Sequence, residues 1–240
     1  MVPLRPSITS LPPTRAGCLA VVPPPMTAAA PWDVVLGSAS PARLGLLRSA
    51  GVPARVVVSA VDEDALTATW DPADAAGLVQ ALADAKAADV VAQLGRVARP
   101  TIVIAADSLF RFDGELLGKP GTAATAEQRL AELSGRVGHL LTGHCLVVLQ
   151  PDGRSSDAHA VAATEVWFAE FDRNELVDYV ATGEPLNVAG GFTLDGLAAP
   201  FIQGINGDPS NVIGLSLPLV RRLLTDLGVY WPDLWRSAPA

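Results

Sequence analysis

Apolar residues along this 240-residue chain occur in two patterns, short unbroken runs and longer stretches with helical spacing. Unbroken runs such as Val34–Leu36 and Thr101–Ala106 predict buried β-strands. In Asp74–Gly95 the apolar residues of one stripe, at positions 79, 82, 90 and 94, lie three, eight and four positions apart, which predicts a long helix. Strands and helices alternate early in the chain, whereas the later strands follow one another through tight turns. This order predicts a mixed α/β sheet flanked by helices.

Capping residues and turn sequences delimit the other elements. Pro41, with Ser40 as its N-cap, opens a helix that Gly51 ends. Asp113-Gly114 predicts a hairpin turn. The remaining predictions are strands at Ala54–Ala60, His139–Gln150 and Val161–Phe168, helices at Thr125–Leu133, Arg173–Thr182 and Leu217–Leu227, and short strands and turns over Val188–Gly207.

Proline is concentrated at the N-terminus. Eight of the 20 prolines lie in residues 1–31, which show neither helical nor strand periodicity. Such a segment favours disordered or extended backbone, so we expect a dispensable extension there. A transit peptide and a later start at Met26 are the alternatives. The predicted organisation is a Pro-rich disordered extension at 1–31, one domain at 32–230 and a C-terminal tail at 231–240.

The rest of the chain is acidic. Residues 32–240 hold 15 lysines and arginines against 25 aspartates and glutamates, a balance that attracts neither a nucleic-acid polymer nor an anionic membrane. The two cysteines, Cys18 and Cys145, provide no disulfide framework, which indicates a reducing compartment. The longest uncharged stretch, Ala16–Trp32, contains four prolines and cannot cross a bilayer as a regular helix. Any anionic ligand must therefore be held by a few locally placed cations.

A candidate anion site follows the first predicted strand, where Ser38–Arg43 leads into a helix. A strand-to-helix turn directs free backbone N–H groups and the positive end of the helix dipole at one point, which suits a phosphate. Arg43 in the first turn opposes the helix dipole but would serve an anion bound there. The alternative is an ordinary N-cap beside a surface arginine.

Three charged residues lie where a pocket is expected. Lys86 falls on the apolar stripe of the long helix, so it either extends to solvent or faces a pocket that holds negative charge. Asp107 follows a buried strand, at the sheet edge where ligands gather, and can bind a metal or accept a proton from water. Glu63 follows the second strand in a comparable position. A loop-capping role is the alternative for both carboxylates.

Other polar residues carry weaker signals. Lys119 lies between Gly118 and Pro120, in a loop that can present its ammonium outward. His139 and His144 have no cysteine or histidine partner at metal-ligand spacing, so the sequence supports no zinc site. The sequence GxxxxGK[ST] does not occur, so the glycine-rich stretch is not a P-loop.

The order and spacing of the short motifs carry more information than any one of them. SASPAR at 38–43, VDE at 61–63, AKA at 85–87, ADS at 106–108, DGELLGKP at 113–120, SGR…H…TG from 134 and NVIGL at 211–215 together resemble the Maf family of nucleoside triphosphate pyrophosphatases. The resemblance spans Val34 to Leu224. It implies a two-lobed mixed α/β fold with a cleft between the lobes, related to the inosine-triphosphate pyrophosphatases. It also implies a cytoplasmic enzyme, often a homodimer, that requires a divalent cation.

The family's reaction is hydrolysis between the α- and β-phosphates of a nucleoside triphosphate, which releases a nucleoside monophosphate and pyrophosphate. The resemblance implies that Asp107 accepts the proton of the attacking water, and that Glu63 and Asp107 hold Mg²⁺ or Mn²⁺. The other implied substrate contacts are three cations and two hydroxyl donors, namely Arg43, Lys86, Lys119, Ser38 and Ser40.

Three positions bear on the choice of base. The thymidine/uridine triphosphate branch typically reads SPRR, ADT and GIQG there, whereas this chain has Ala42, Ser108 and Asp195. Only Asp195 resembles the branch that acts on 7-methyl-GTP. Nucleotide-pool cleaning is the expected role. A non-catalytic nucleotide-binding regulator of cell division is the alternative, and general inosine/xanthosine triphosphate removal is a third hypothesis.

Overall fold

The computed structural model describes residues 32–71 and 73–236, so the Pro-rich extension predicted at 1–31 lies outside the described residues. Within this range the chain forms one seven-stranded sheet. Its strands are β1 (Asp33–Leu36), β2 (Ala54–Val56), β3 (Thr101–Phe112), β4 (Glu115–Leu117), β5 (Val137–Leu149), β6 (Ser155–Phe168) and β7 (Ile202–Asn206).

The sheet combines parallel and antiparallel pairs. The strand order is β2-β1-β3-β5-β6-β7, and β4 pairs with β3 through the hairpin at Asp113-Gly114. β1 is parallel to β2 and to β3, whereas the β3–β5, β5–β6 and β6–β7 pairs are antiparallel. The predicted mixed α/β sheet is confirmed.

The helices flank this sheet, and side-chain caps fix where several of them begin. Ser40 accepts a hydrogen bond from Arg43 N, and Asp74 accepts one from Gly77 N, as N-cap residues do. No helix in residues 32–71 or 73–236 is both long and apolar enough to cross a membrane. The α-helices are α1 (Pro41–Ser49), α2 (Glu63–Ala68), α3 (Ala75–Leu94), α4 (Ala123–Leu133), α5 (Arg173–Ala181), α6 (Pro209–Ile213) and α7 (Leu217–Asp226), and the 3₁₀ helices are Glu184–Asn187, Ala189–Gly191, Ala199–Phe201 and Trp231–Arg236.

Alternation along β3 decides which helix each of its side chains meets. Ile102 and Ile104 pack in the core that includes buried residues of α1 and α7, whereas Val103 and Ala105 pack against α3 on the other face. If this alternation continues, Asp107 faces α3 and Ser108, the next residue, faces α1.

The two largest hydrophobic cores among the described residues divide the molecule into two lobes. The first core joins the early part of β3 to α1 and α7, and the second joins Phe110 and Leu140 to α4, α5 and Phe192. The long strands β3 and β5 run through both cores. Asp107 and Ser108 lie on β3 between the two cores, which is where the expected cleft is found.

The segment after β2 differs from the prediction. β2 ends at Val56 instead of Ala60, and Glu63 begins α2 instead of following a strand. The physical reason is Asp62, whose carboxylate accepts a hydrogen bond from Ala65 N at 2.9 Å and so caps a short helix. Glu63 is therefore carried by the first turn of that helix.

The prediction of a C-terminal tail from residue 231 is wrong for residues 231–236. Trp231–Arg236 forms a 3₁₀ helix, and Leu234 is completely buried in the first core. Trp235 Nε1 also donates a hydrogen bond of 2.9 Å to Ala50 O at the end of α1. The domain therefore extends to residue 236 at least.

The glycine-rich stretch Val188–Gly207 also differs in part from the predicted short strands and turns. Residues 184–201 form three of the 3₁₀ helices, and β7 is the one strand there that the structure describes within Val188–Gly207. The short helix α6, which follows β7, was not predicted. It is capped by Asp208, whose carboxylate accepts from Ser210 N at 2.9 Å.

Candidate active site

A cavity of about 730 Å³ lies between the lobes, and residues from both line it. It brings together all of the site residues that the sequence singled out. They are Ser38, Ser40, Ala42, Arg43, Glu63, Lys86, Asp107, Ser108, Lys119 and Asp195.

Lys86 joins two carboxylates from different elements. Its Nζ lies 2.6 Å from Asp107 Oδ1 and 2.8 Å from Glu63 Oε1. Lys86 and Asp107 are buried, whereas the Glu63 side chain is 52% exposed. A buried charge is tolerated when it is paired, and here the ammonium is paired twice. Of the two alternatives left by the helical pattern, the structure supports the one in which Lys86 faces a pocket with negative charge.

Gly143 allows α3 to lie close enough to the sheet for this contact. It pairs with Asp107 across the β3–β5 ladder. A Cβ on Gly143 would lie 2.2 Å from Val79 O of α3, so any larger residue would displace the helix. Val79 precedes Lys86 by seven residues, about two helical turns, so both lie on the same face of α3.

Arg43 is anchored within the protein by four hydrogen bonds. Nε donates to Gly214 O at 2.7 Å, Nη1 to Ser38 Oγ at 3.0 Å and Ala106 O at 2.7 Å, and Nη2 to Ser108 Oγ at 2.9 Å. A guanidinium has five N–H donors, so one remains for a ligand. Burial lowers the pKa of Arg43, and the nearby carboxylates of Asp107 and Glu63 oppose that shift. The surface arginine considered as an alternative is thus excluded.

Ser38 and Ser40, in the turn that precedes α1, each have a hydroxyl proton that can be donated to a ligand. Ser38 Oγ accepts from Ser40 N at 3.3 Å as well as from Arg43, and Ser40 Oγ accepts from Arg43 N at 3.4 Å. A hydroxyl carries one proton in addition to its acceptor lone pairs. Neither hydroxyl donates to another residue in the described part of the chain, so each proton is available to an anion in the cavity.

Lys119 is exposed, and it has no hydrogen-bond or ion-pair partner among the residues that the structure describes. Two hydrogen bonds fix the loop that carries it, because Arg129 Nη1 donates to Gly118 O at 2.9 Å and Gly190 N donates to the same oxygen at 3.3 Å. The ammonium is therefore supplied on a positioned loop and is available to a ligand.

Sequence reasoning missed the polar residues of β5 that support the site. Thr142 Oγ1 lies 2.9 Å from Ser108 Oγ, so Ser108 is held between Thr142 and Arg43. His144 is completely buried, and burial lowers its pKa to about 4. Its Nε2 accepts from Ser216 N at 2.9 Å, so Nδ1 carries the proton and donates to Thr142 O at 3.0 Å. Polar residues at alternate positions of an otherwise apolar strand were the signal that could have revealed both.

The donor set at Glu63 and Asp107 fits a divalent cation. Both supply carboxylate oxygens, the ligands that Mg²⁺ prefers. The described part of the chain contains no group of three or more acidic, histidine or cysteine side chains that could hold a metal. Mg²⁺ usually takes one or two protein carboxylates and completes its shell with water and substrate phosphate oxygens. The site therefore suits a cation completed by its substrate and does not suit a closed protein cage.

Comparison with known proteins points to one family. The family model described as "Maf-like protein" matches residues 33–227. A protein of Nocardia farcinica named nucleoside triphosphate pyrophosphatase is 50% identical over 204 residues, which cover 85% of this chain and 96% of that protein. A protein of the same name from Streptomyces coelicolor is 53% identical over 205 residues, with 85% and 95% covered. Among solved structures, the Ham1 protein of Staphylococcus aureus aligns with 81% of this chain and 99% of its own, at 12% identity and a TM-score of 0.40, a likeness too remote to bear on function.

Proposed function

The chain belongs to the family of Maf-like proteins, and we propose that it is a nucleoside triphosphate pyrophosphatase. It hydrolyses the bond between the α- and β-phosphates, so that water adds to the α-phosphorus and pyrophosphate leaves. The products are a nucleoside monophosphate and pyrophosphate. The curated relatives support the activity, and the residues of the cavity supply a mechanism for it.

The observation that carries the proposal is the Glu63–Lys86–Asp107 cluster in the wall of the inter-lobe cavity. The same cavity receives the cations Arg43 and Lys119, although the protein as a whole carries a net charge of −8. A concentration of cations in an acidic protein, next to two carboxylates, suits a small polyphosphate that must be bound and also hydrolysed.

In the proposed mechanism, Asp107 accepts the proton of the attacking water. Its Oδ1 is occupied by Lys86 Nζ, whereas no described residue donates to Oδ2. Oδ2 can therefore receive a hydrogen bond from water and then its proton as the new bond to phosphorus forms. Lys86 holds the carboxylate in one orientation during this transfer.

The remaining polar groups bind the phosphate chain. Lys119 contributes an exposed ammonium, and Arg43 contributes its fifth N–H from a position fixed by four hydrogen bonds. The hydroxyl protons of Ser38 and Ser40 add two donors at the N-terminus of α1, where the helix dipole also favours an anion.

Glu63 and Asp107 would hold Mg²⁺ or Mn²⁺, which when bound would neutralise charge on the leaving pyrophosphate. Glu63 is well placed for this role, because half of its side chain is exposed and it lies at the start of a short helix. The buried Asp107 would then serve both the cation and the water.

The test is a pyrophosphate-release assay with Mg²⁺ or Mn²⁺ over canonical, methylated and deaminated nucleoside triphosphates. Wild-type protein should release pyrophosphate and no orthophosphate. Asp107→Asn should reduce kcat roughly 10²- to 10⁴-fold, because the amide cannot accept the proton. Asp113→Asn, the same substitution at the exposed turn of the β3–β4 hairpin, is the matched control and should keep wild-type turnover.

Two outcomes would contradict parts of the proposal. Retained activity in Asp107→Asn would exclude Asp107 as the proton acceptor. Calorimetric binding of nucleotides by a wild-type protein that turns none of them over would favour the alternative, a non-catalytic nucleotide-binding regulator.

A further inference from the structure

A partly buried hydrogen-bond network lies next to one wall of the cavity. Its centre is Glu184, the first residue of a 3₁₀ helix, whose side chain does not line the cavity. The segment Thr193–Leu197, which we call the 193–197 loop, forms hydrogen bonds with Glu184 and also reaches the cavity. Thr193, Leu194 and Asp195 of this loop line the cavity.

Glu184 holds both ends of this loop. Its Oε1 accepts from Thr193 Oγ1 at 2.5 Å and from Leu197 N at 3.0 Å, and Oε2 lies 3.1 Å from the same Leu197 N. Tyr179 OH of α5 donates to Oε1 at 3.1 Å and so ties the carboxylate to the second core. One side chain thus connects the loop to a rigid helix.

The charge of Glu184 is balanced by hydrogen bonds. No lysine or arginine among the described residues forms an ion pair with it. Partial burial raises the pKa of Glu184, but the donors Thr193, Leu197 and Tyr179 outweigh this and lower it overall. Burial and the charge of Glu184 raise the pKa of the Tyr179 hydroxyl, which remains a donor. Every observed contact therefore requires Glu184 as an acceptor.

The loop turns around this carboxylate at contact distance. A Cβ on Gly196 would lie 2.5 Å from Thr193 Oγ1 and 2.7 Å from Glu184 Oε2. A larger residue at this position would have to displace the Thr193 hydroxyl or the Glu184 carboxylate. Asp195 lies between the two residues that Glu184 holds, and its position in the cavity wall follows from theirs.

We propose that Glu184 is a positioning residue that sets which base the cavity accepts. This inference rests on the proposed pyrophosphatase function and extends it to base recognition. The 193–197 loop presents the acceptor oxygens of Asp195 and Thr193 to the substrate, because the hydroxyl proton of Thr193 is donated to Glu184. Hydrogen bonds to a base discriminate between bases only when the protein groups are held in fixed positions. Among the described residues, Glu184 forms no hydrogen bond or ion pair with β3 or α3, which carry Asp107 and Lys86, so the hydrolytic step does not depend on it.

The experiment compares wild-type protein and Glu184→Gln over nucleoside triphosphates that differ only in the base, with kcat and KM measured for each. The amide of glutamine lacks the negative charge and directs N–H donors toward Thr193 and Leu197, which are themselves donors. The hydrogen bonds that fix the 193–197 loop are therefore weakened. For the best substrate KM should rise about tenfold while kcat stays within about twofold. The spread of kcat/KM between the best and the worst base should shrink by a similar factor.

Two further variants make the result specific. Glu175→Gln is the matched control, because Glu175 caps the start of α5 in the same lobe without touching the loop, and it should leave base preference unchanged. Tyr179→Phe removes a single hydrogen bond to Glu184 and should shift KM in the same direction by a smaller factor. It keeps the inference testable if Glu184→Gln does not fold.

The outcomes separate this inference from the proposed function. A wild-type protein inactive on the whole panel would overturn the proposed function and the inference with it. An active wild type, together with variants at Glu184 and Tyr179 that keep the wild-type spread of kcat/KM between bases or lower kcat equally for all bases, would overturn the inference alone.

Discussion

Among single residues, His144 shows how a buried polar side chain can make stability depend on pH. Burial lowers its pKa from 6.5 to about 4, so the folded protein keeps it neutral where the unfolded chain binds a proton. Its contribution to stability is therefore complete above pH 6.5 and is lost as the pH falls toward 4. Between pH 7 and pH 5 we expect the free energy of unfolding to fall by about 2 kcal/mol from this residue.

The measurement is urea unfolding of wild-type protein and His144→Gln at pH 7 and pH 5. Glutamine can still accept from Ser216 N and donate to Thr142 O but does not titrate, so the variant should lose less stability on acidification. His139→Gln is the matched control, since His139 lies on the same strand with its side chain 45% exposed. An identical loss of stability in wild type and His144→Gln would refute the role assigned to His144.

Lys86 and Arg43 show which features of the site could be predicted from the sequence and which could not. The apolar stripe of α3 left Lys86 with two possible positions, and the pocket-facing one is found. Arg43 was expected to bind phosphate, yet most of its donors bind protein groups. One of these acceptors, Gly214 O, is 171 residues away along the chain. A local pattern can show that a cation lies near a helix start, but it cannot show which distant carbonyl will occupy its donors.

Among the elements, the approach of α3 to the sheet is what brings a lysine to Asp107. Gly143→Ala should displace α3, because the added Cβ would lie 2.2 Å from Val79 O. We expect a loss of about 1–3 kcal/mol in the free energy of unfolding. kcat should also fall, because Lys86 would move away from Asp107. Urea unfolding and pyrophosphate release measure the two effects.

Gly45→Ala is the control for adding a methyl group to a glycine. Gly45 lies on the exposed side of α1, and a Cβ there meets nothing within 4 Å. This change should stabilise the protein by roughly 0.5–1 kcal/mol through helix propensity and leave activity unchanged. Wild-type stability and turnover in Gly143→Ala would show that the helix position does not depend on this glycine.

The presence and type of the long elements were predictable because each carries several periods of its pattern. β5 and α3 are found close to their predicted bounds, whereas β3 runs to Phe112 instead of Ala106 and β6 begins at Ser155 instead of Val161. The short helices α2 and α6 were not predicted, because a single capping side chain decides whether each of them forms. Asp62 caps α2 where only the end of a strand was predicted, and Asp208 caps α6. At the site, this difference moved Glu63 from a strand end to a helix start without removing it from the cavity.

In the whole molecule, the two cores and the cleft between them explain why residues so far apart in sequence meet. β3 and β5 extend through both lobes, so the polar residues midway along them face neither core. The sequence indicated the lobes only through the family resemblance, since no periodicity marks a boundary within a continuous strand. The same continuity means that stability lost in one lobe affects the strands that carry the site.

The C-terminal boundary of the domain tests this coupling. Truncation after Tyr230 removes Leu234, which fills the first core, and Trp235, which bonds to Ala50 O. We expect the free energy of unfolding to fall by at least about 2–5 kcal/mol, the usual cost of emptying a buried leucine site. Truncation after Arg236 is the control and should match full-length protein, because it keeps the last 3₁₀ helix. Urea unfolding of the three proteins measures the difference, and equal stability after truncation at 230 would restore the interpretation of residues 231–236 as a tail. Because the first core packs against the part of β3 just before Asp107, the truncated protein should also lose activity at temperatures where the longer forms remain folded.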